Sequence, residues 1–280
     1  MRLGITGPRP AARSLLALAL HRTAWLVSIV GVALGASVVS PLAHAARATR
    51  PAVGRDVPAT FNGTAAVGAL FTTSGGKLGA HFCTASVVSS PAGNLVITAA
   101  HCVQGKSLSP ASSIVFVPGY HNGKFPYGTW PVTAVYVDSA WAADQNPDDD
   151  VAFLTVGRPG SDIQRLTGAE TLMVDPLPQL VQVIGYPNVT NQPITCTALA
   201  RQFSSRQMVF DCDGYTNGTS GGPFLANVSP QTGDGLVIGV IGGYQQGGDT
   251  ADISYSPRFT ASVLGLYQTA TSANSASGSG

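Results

Sequence analysis

From Val67 onward the sequence breaks into short β-prone runs separated by turn signals, and this rhythm limits the possible fold more than any other feature of the chain. A first set runs Val67 to Thr72, Cys83 to Val88, Leu95 to Thr98, Ile114 to Val117, Val132 to Val137 and Val151 to Val156. A second set runs Leu180 to Gly185, Thr195 to Ala200, Met208 to Cys212, Gly222 to Leu225 and Leu236 to Ile241. Two groups of this size predict an all-β protein built from two six-stranded antiparallel barrels. The 33 Gly and 19 Pro, with only 10% charged residues, supply the turns such a fold needs and argue against long helices laced by ion pairs. One helix is expected: Phe259, Val263, Leu264 and Tyr267 fall at helical spacing after Pro257. No repeat of fixed period occurs, which excludes propellers and solenoids.

Organisation follows from composition shifts. Residues 1–45 read as an export signal, with a basic, Pro-containing start, an apolar stretch from Ala24 to Ser40, and small residues at Ala43 and Ala45 that predict cleavage after Ala45. A retained anchor is the competing reading, since roughly 17 apolar residues approach the lower limit for spanning a bilayer. Gly31, Gly35 and Pro41 suit a processed segment better. Residues 46–65 form a linker or N-terminal arm and a candidate pro-segment, residues 66–270 the folded domain, and residues 271–280 a disordered tail. Within the domain the first barrel is expected at about 66–157, the second at about 170–256, and the helix at about 257–269.

The full chain carries a formal charge of +1, but its first 45 residues hold Arg2, Arg9, Arg13 and Arg22 and no acid, so the remainder has 11 bases against 14 acids. That balance gives no basic face for a nucleic acid. In an exported chain the even set Cys83, Cys102, Cys196 and Cys212 implies disulfides. Three connectivities are open; pairing neighbours closes two short loops, each worth roughly 3 kcal/mol. A zinc site would need clustered ligand pairs such as Cys-x-x-Cys, and the sequence has none, so no metal is expected.

Three segments carry chemistry. Thr98-Ala99-Ala100-His101-Cys102 places a histidine at the end of an apolar strand; Asp150-Val151-Ala152-Phe153-Leu154 places an acid at the head of a buried strand; Asn217-Gly218-Thr219-Ser220-Gly221-Gly222-Pro223 places a serine in a glycine-rich turn. A serine hydroxyl is a weak nucleophile until a base takes its proton, and an imidazole titrates near neutrality, so His101 suits that work. A buried carboxylate, assigned to Asp150, would fix the tautomer and stabilise the imidazolium. The N–H groups of Gly218 and Ser220 would hold the oxyanion. Asp148 and Asp149 are expected in a solvated turn after Pro147. His81 is expected to border the cleft near Cys83, and His121 to sit in a surface turn. Each segment alone has a bland structural reading, but the three together in one exported chain make that reading poor. Gly218 to Gly222 also fits the Gly-x-Ser-x-Gly elbow of α/β-hydrolases. That fold requires a histidine after the serine, and His21, His44, His81, His101 and His121 all precede Ser220. The subtilisin order needs an acid before the histidine, and only Asp56 precedes His101. The order His, Asp, Ser remains.

These segments resemble the trypsin and chymotrypsin family over residues 66 to about 268. Val67-Gly68-Ala69-Leu70-Phe71, Cys83-Thr84-Ala85-Ser86-Val87-Val88 and Gly185-Tyr186-Pro187 are most similar to its bacterial branch of glutamyl endopeptidases. The resemblance implies a secreted, cofactor-free serine endopeptidase acting on proteins or peptides, with no nucleic-acid or stable membrane partner and a monomeric state. Thr219 stands where animal relatives carry an aspartate that pairs with a freed N-terminal amine, so that activation is not expected here. Gly214 stands where trypsin-like members carry the acid that binds basic side chains, with Asp213 next door, and Ile241 stands where glutamyl-specific members carry a histidine. A specificity pocket bordered by Gly214, Ile241 and Gly242 then predicts an apolar or small P1 residue. The alternative from another class is a catalytically silent secreted binding protein on the same scaffold.

Overall fold

A computed structural model describes residues 56–104, 113–158 and 162–277. The chain enters through a short strand, β1 (Ala59–Thr60), and then builds six strands: β2 (Val67–Ser74), β3 (Lys77–Val88), β4 (Leu95–Thr98), β5 (Ile114–Pro118), β6 (Trp130–Val137) and β7 (Ala152–Val156). They close a barrel in the order β2-β3-β4-β7-β6-β5. Every residue of β4 and β7 is buried, which is why both read as continuous apolar runs and not as alternating ones. Leu70, Val96, Phe116, Trp130 and Leu154 fill the interior, and each large apolar side chain so buried contributes about 1.5–3 kcal/mol.

Between β6 and β7 lies a short helix, α1 (Ser139–Asp144), capped by the Asp138 carboxylate accepting from Ala140 N, and then a 3-10 turn, Pro147–Asp149, capped by Asn146. This double turn delivers Asp150 to the head of β7. The helix α2 (Ile163–Thr167) leads into the second half: β8 (Thr171–Leu172), β9 (Gln179–Gly185), β10 (Ile194–Gln202), β11 (Gln207–Asp211), β12 (Pro223–Ala226), β13 (Leu236–Val240) and β14 (Ile253–Pro257). These form one curled sheet ordered β14-β11-β10-β9-β12-β13-β8, with β1 added on β10. The arm therefore docks on the second half, where Phe61 N also donates to Pro193 O.

The second half departs from a closed antiparallel barrel in two ways. The β8 strand pairs parallel to β13. The strands β13 and β14 approach without forming a ladder: Val240 N donates to Ser256 Oγ at 3.0 Å, Ser256 Oγ donates to Pro257 O, and Gly242 N, just past β13, donates to Tyr255 O at 3.0 Å. The expected strand list omitted β14 because its inward residues, Ser254 and Ser256, are buried serines in place of aliphatic side chains.

The terminal helix, α3, spans Ala261–Ser277, so it starts after the predicted 257 and continues through most of the segment expected to be a disordered tail. Once Phe259 and Val263 anchor its first turns in the shared core, alanines at 270, 273 and 276 extend it at little cost. Tyr267 donates its hydroxyl to Ser89 O and packs edge-on to Phe153, tying α3 to the first barrel. No helix among the described residues is long and apolar enough to cross a membrane. The predicted export signal lies outside the described residues, as does residues 46–55 of the arm.

Candidate active site

Thr98 ends β4 deep in the barrel, and Ala99 and Ala100, both fully buried, carry the chain into a 3-10 turn, Ala100–Cys102. Only small side chains fit there. A disulfide from Cys102 to Cys83 on β3 clamps the turn, and a second joins Cys196 to Cys212, so the neighbour pairing is the one present. His101 emerges from the Ala100–Cys102 turn with its side chain 13% exposed.

Asp150 is wholly buried, and its carboxylate accepts three hydrogen bonds. Oδ1 accepts from His101 N at 2.9 Å; Oδ2 accepts from His101 Nδ1 at 2.7 Å and from Gly243 N at 2.8 Å. A carboxylate against Nδ1 keeps the proton on that nitrogen, leaving Nε2 with a lone pair facing the cleft. Asp148 and Asp149 sit in the turn after Pro147, as expected, with Asp148 partly exposed, but Asp149 is buried and not solvated. Gln207 Nε2 donates to Asp148 Oδ1 at 2.7 Å, and Asp149 is buried between Asn146 and Arg206. Burial raises the Asp149 carboxyl above its usual range, the nearby acids Asp138, Asp148 and Asp144 add to this, and Arg206 opposes it.

Ser220 sits in the turn between β11 and β12, facing the same cleft of about 610 Å³ as His101. Two glycines make that turn possible. Gly218 has φ +98, and a Cβ there would lie 2.5 Å from Asn188 N; Gly221 has φ +79, and its Cβ would lie 2.2 Å from Thr84 O. Thr219 N is spent on Thr216 O, whereas Gly218 N and Ser220 N have no acceptor among the described residues.

Thr84 of β3 knits this turn to the first barrel. Its N–H donates to Ser220 O at 2.7 Å, its hydroxyl donates to Gly218 O at 2.9 Å, and the same hydroxyl accepts from Tyr186 N at 2.9 Å. Sequence reasoning quoted Thr84 only within a motif, and its hydroxyl does not stand out from that of Ser86 on the same strand. Gln207, which also accepts from Tyr244 N through Oε1, was missed, as was Asn188 in the cleft wall.

Of the three predicted pocket residues, Ile241 lines the cleft. Gly214 does not: its α-carbon turns to Pro58 of the arm, and its neighbours Tyr215 and Thr216 take the cleft wall. Gly242 packs against Asp150 and Ala99, so its small size serves the acid and not the substrate pocket. His81 is buried against Phe71 and Tyr120 with Nε2 at Thr190 O, away from the cleft it was expected to border; Phe82 and Cys83 are there instead. His121 occupies a turn, with Nδ1 at Gly119 O.

Among the described residues, three potential metal donors converge at Cys83, His101 and Cys102. Both sulfurs are joined in the disulfide, which removes the thiolates a metal would need, so this donor set does not fit a metal ion.

Known proteins agree with this architecture. The structure of protease Anisep from Arthrobacter nicotinovorans is 25% identical, with a TM-score of 0.66, covering 77% of this chain and all of its own (100%). A thermostable serine protease, AL20, from an extremophilic microorganism is 22% identical with a TM-score of 0.62, covering 75% of this chain and 98% of its own. A Glu endopeptidase in complex with MPD is 18% identical with a TM-score of 0.60, covering 78% and 98%. The latter two support the fold alone. A curated relative, the extracellular metalloprotease of Bacillus subtilis (strain 168), is 26% identical over 153 residues, or 54% of this chain and 49% of that protein, so the chain spans about half the length of the curated relative it matches. The family model described as Trypsin matches residues 57–263, and the chain belongs to the trypsin family.

Proposed function

We propose that this chain is a secreted endopeptidase that hydrolyses peptide bonds with Ser220 as nucleophile, His101 as general base and Asp150 as the acid that orients it. The observation that carries the reading is the 2.7 Å contact from His101 Nδ1 to a wholly buried Asp150, with Ser220 on the same cleft. Ser220 Oγ attacks the carbonyl carbon as His101 Nε2 takes its proton. The carbonyl oxygen, now negative, is held by the N–H groups of Gly218 and Ser220, each such donor being worth about 10²–10³ in rate. His101 then gives its proton to the leaving amine, and water, activated by the same base, hydrolyses the acyl-enzyme.

An apolar or small residue before the scissile bond is supported by Ile241, Gly247 and Ala251 in the cleft wall, while Gln245, Gln246 and Asp249 make the rest of that wall polar. Export is supported by the signal-like residues 1–45 and by the two disulfides, which persist in oxidising compartments. The deciding experiment offers a diverse peptide library to the chain beginning at residue 46, with Ser220→Ala as control. Cleavage by the parent and none by the control is the expected result. Failure of a fluorophosphonate probe to label folded parent protein at Ser220 would favour the binding-protein alternative.

A further inference from the structure

A buried amide stands between the two turns that set the acid. Gln207 opens β11, and burying its side chain is costly unless the amide oxygen and both N–H groups find partners. Nε2 donates to Pro147 O at 3.1 Å and to Asp148 Oδ1 at 2.7 Å, and Oε1 accepts from Tyr244 N at 3.2 Å. The amide is thereby satisfied at both ends.

Where those partners lie is what matters. Pro147 and Asp148 belong to the 3-10 turn that Asp150 caps, in the first half, whereas Tyr244 directly follows Gly243, in the second. Gly243 has φ +77 and lies against the Gln207 amide, where a Cβ would collide with Oε1. One side chain of β11 therefore grips both the segment that carries the Asp150 carboxylate and the segment whose N–H donates to it at 2.8 Å. Arg206, its half-exposed neighbour, comes within 3.4 Å of Asp149 Oδ1 and 3.8 Å of Asp148 Oδ2 and adds charge attraction on the first side. Gly243 N shares Asp150 Oδ2 with His101 Nδ1, so a shift of either turn changes where the imidazole points.

We infer that Gln207 is a positioning residue: its amide fixes the Pro147–Asp149 turn against Gly243, and through them the Asp150 carboxylate that orients His101. The inference rests on the peptidase reading of the site. Gln207 is not among the residues that line the cleft with Ser220, so its effect passes through Asp150 and not through the substrate. A misplacement of about 1 Å in a catalytic group costs about 10² in rate, so loss of the amide should appear in kcat and leave KM where it was.

The test asks whether the loss passes through Asp150. Gln207→Met keeps the length of the side chain and removes both ends of the amide. In the full chain, kcat per active site, counted by exhaustive fluorophosphonate labelling of Ser220, is expected to fall about 10–10², with KM changed less than about twofold. Counting sites removes any unfolded fraction from the comparison. In an Asp150→Asn background the same substitution is expected to cost less than about twofold, because the group it positions is already lost; a side chain that only stabilised the fold would cost the same factor in both backgrounds. A second route serves if Gln207→Met does not fold. Gln207→Glu keeps an oxygen for Tyr244 N but sets a carboxylate against Pro147 O and Asp148, and it should show the same fall in kcat. Adding Asp148→Asn supplies that carboxylate with a donor and should return kcat to within about threefold of the parent. The inference is overturned by a parental kcat in Gln207→Met, or by equal losses in the two backgrounds. On the second route it is overturned by a parental kcat in Gln207→Glu, or by no recovery when Asp148→Asn is added. Any of these beside an active parent leaves the peptidase reading standing. A parent that neither cleaves nor labels removes that reading, and the inference with it.

Discussion

Gly243 of the second half donates its amide hydrogen to Asp150 of the first at 2.8 Å, on the same oxygen that accepts from His101 Nδ1. The orientation of the imidazole therefore depends on both halves being docked. Without the second half the acid would lose one of its three partners.

Asp150→Asn tests that dependence. An asparagine has one acceptor oxygen where the carboxylate has two, so its amide group must face either His101 Nδ1 and Gly243 N or the backbone N of His101. With the amide toward the ring, Nδ1 becomes the acceptor and the proton moves to Nε2, where the base is needed empty. The expected loss in kcat is about 10⁴ with the fold retained. Steady-state kinetics alongside near-UV circular dichroism would read it; a loss below about tenfold would remove Asp150 from this role.

Thr84→Val asks whether the bridge to the serine turn matters. Valine keeps the shape of the side chain but leaves Gly218 O and Tyr186 N without the hydroxyl that pairs them, in a place where Thr84 is wholly buried. Two such orphaned groups cost about 2–4 kcal/mol together. Because Gly218 carries one of the two proposed oxyanion donors, kcat should fall more than KM rises. Urea unfolding and a kcat against KM comparison check both halves of this expectation, and an unchanged kcat would show that the turn holds its form without Thr84.

The residues of the candidate site could be picked out because each sits in a local context that the proposed chemistry would need. His101 follows a fully buried strand between small residues, Asp150 heads another, and Ser220 needs glycines on both sides. What could not be read is what depends on packing across the two halves. Gly214 seemed to face the substrate, yet Tyr215 turns inward to place its hydroxyl on Val183 O, which sends Gly214 to the arm at Pro58. Asp149 looked like a solvated turn residue because its partners, Asn146 and Arg206, include one 57 residues away. The β14 strand was hidden because its inward residues are Ser254 and Ser256, the latter satisfied by backbone groups, a pattern that hydrophobic periodicity does not register.

Glu170 predicts how stability depends on pH. It is wholly buried between the two halves: its N–H donates to Val87 O, its carbonyl accepts from Ser89 N, and its Oε2 accepts from Gly235 N, while Oε1 has no partner. Burial pushes its carboxyl from 4.5 up to about 8, with the Asp234 charge adding and the Gly235 N–H opposing. The folded chain thus keeps a proton that the unfolded chain gives up near pH 4.5. Stability must fall as pH rises from about 4.5 to about 8, by about 3–5 kcal/mol in total, and then level off. Glu170→Gln retains an oxygen for Gly235 N and cannot ionise, so it should remove this slope. Denaturant midpoints measured across the pH range should be similar for parent and variant at about pH 4 and should separate progressively between about pH 4.5 and 8, with the variant the more stable. Curves that stay parallel would mean that Glu170 ionises in the folded chain as readily as in the unfolded one.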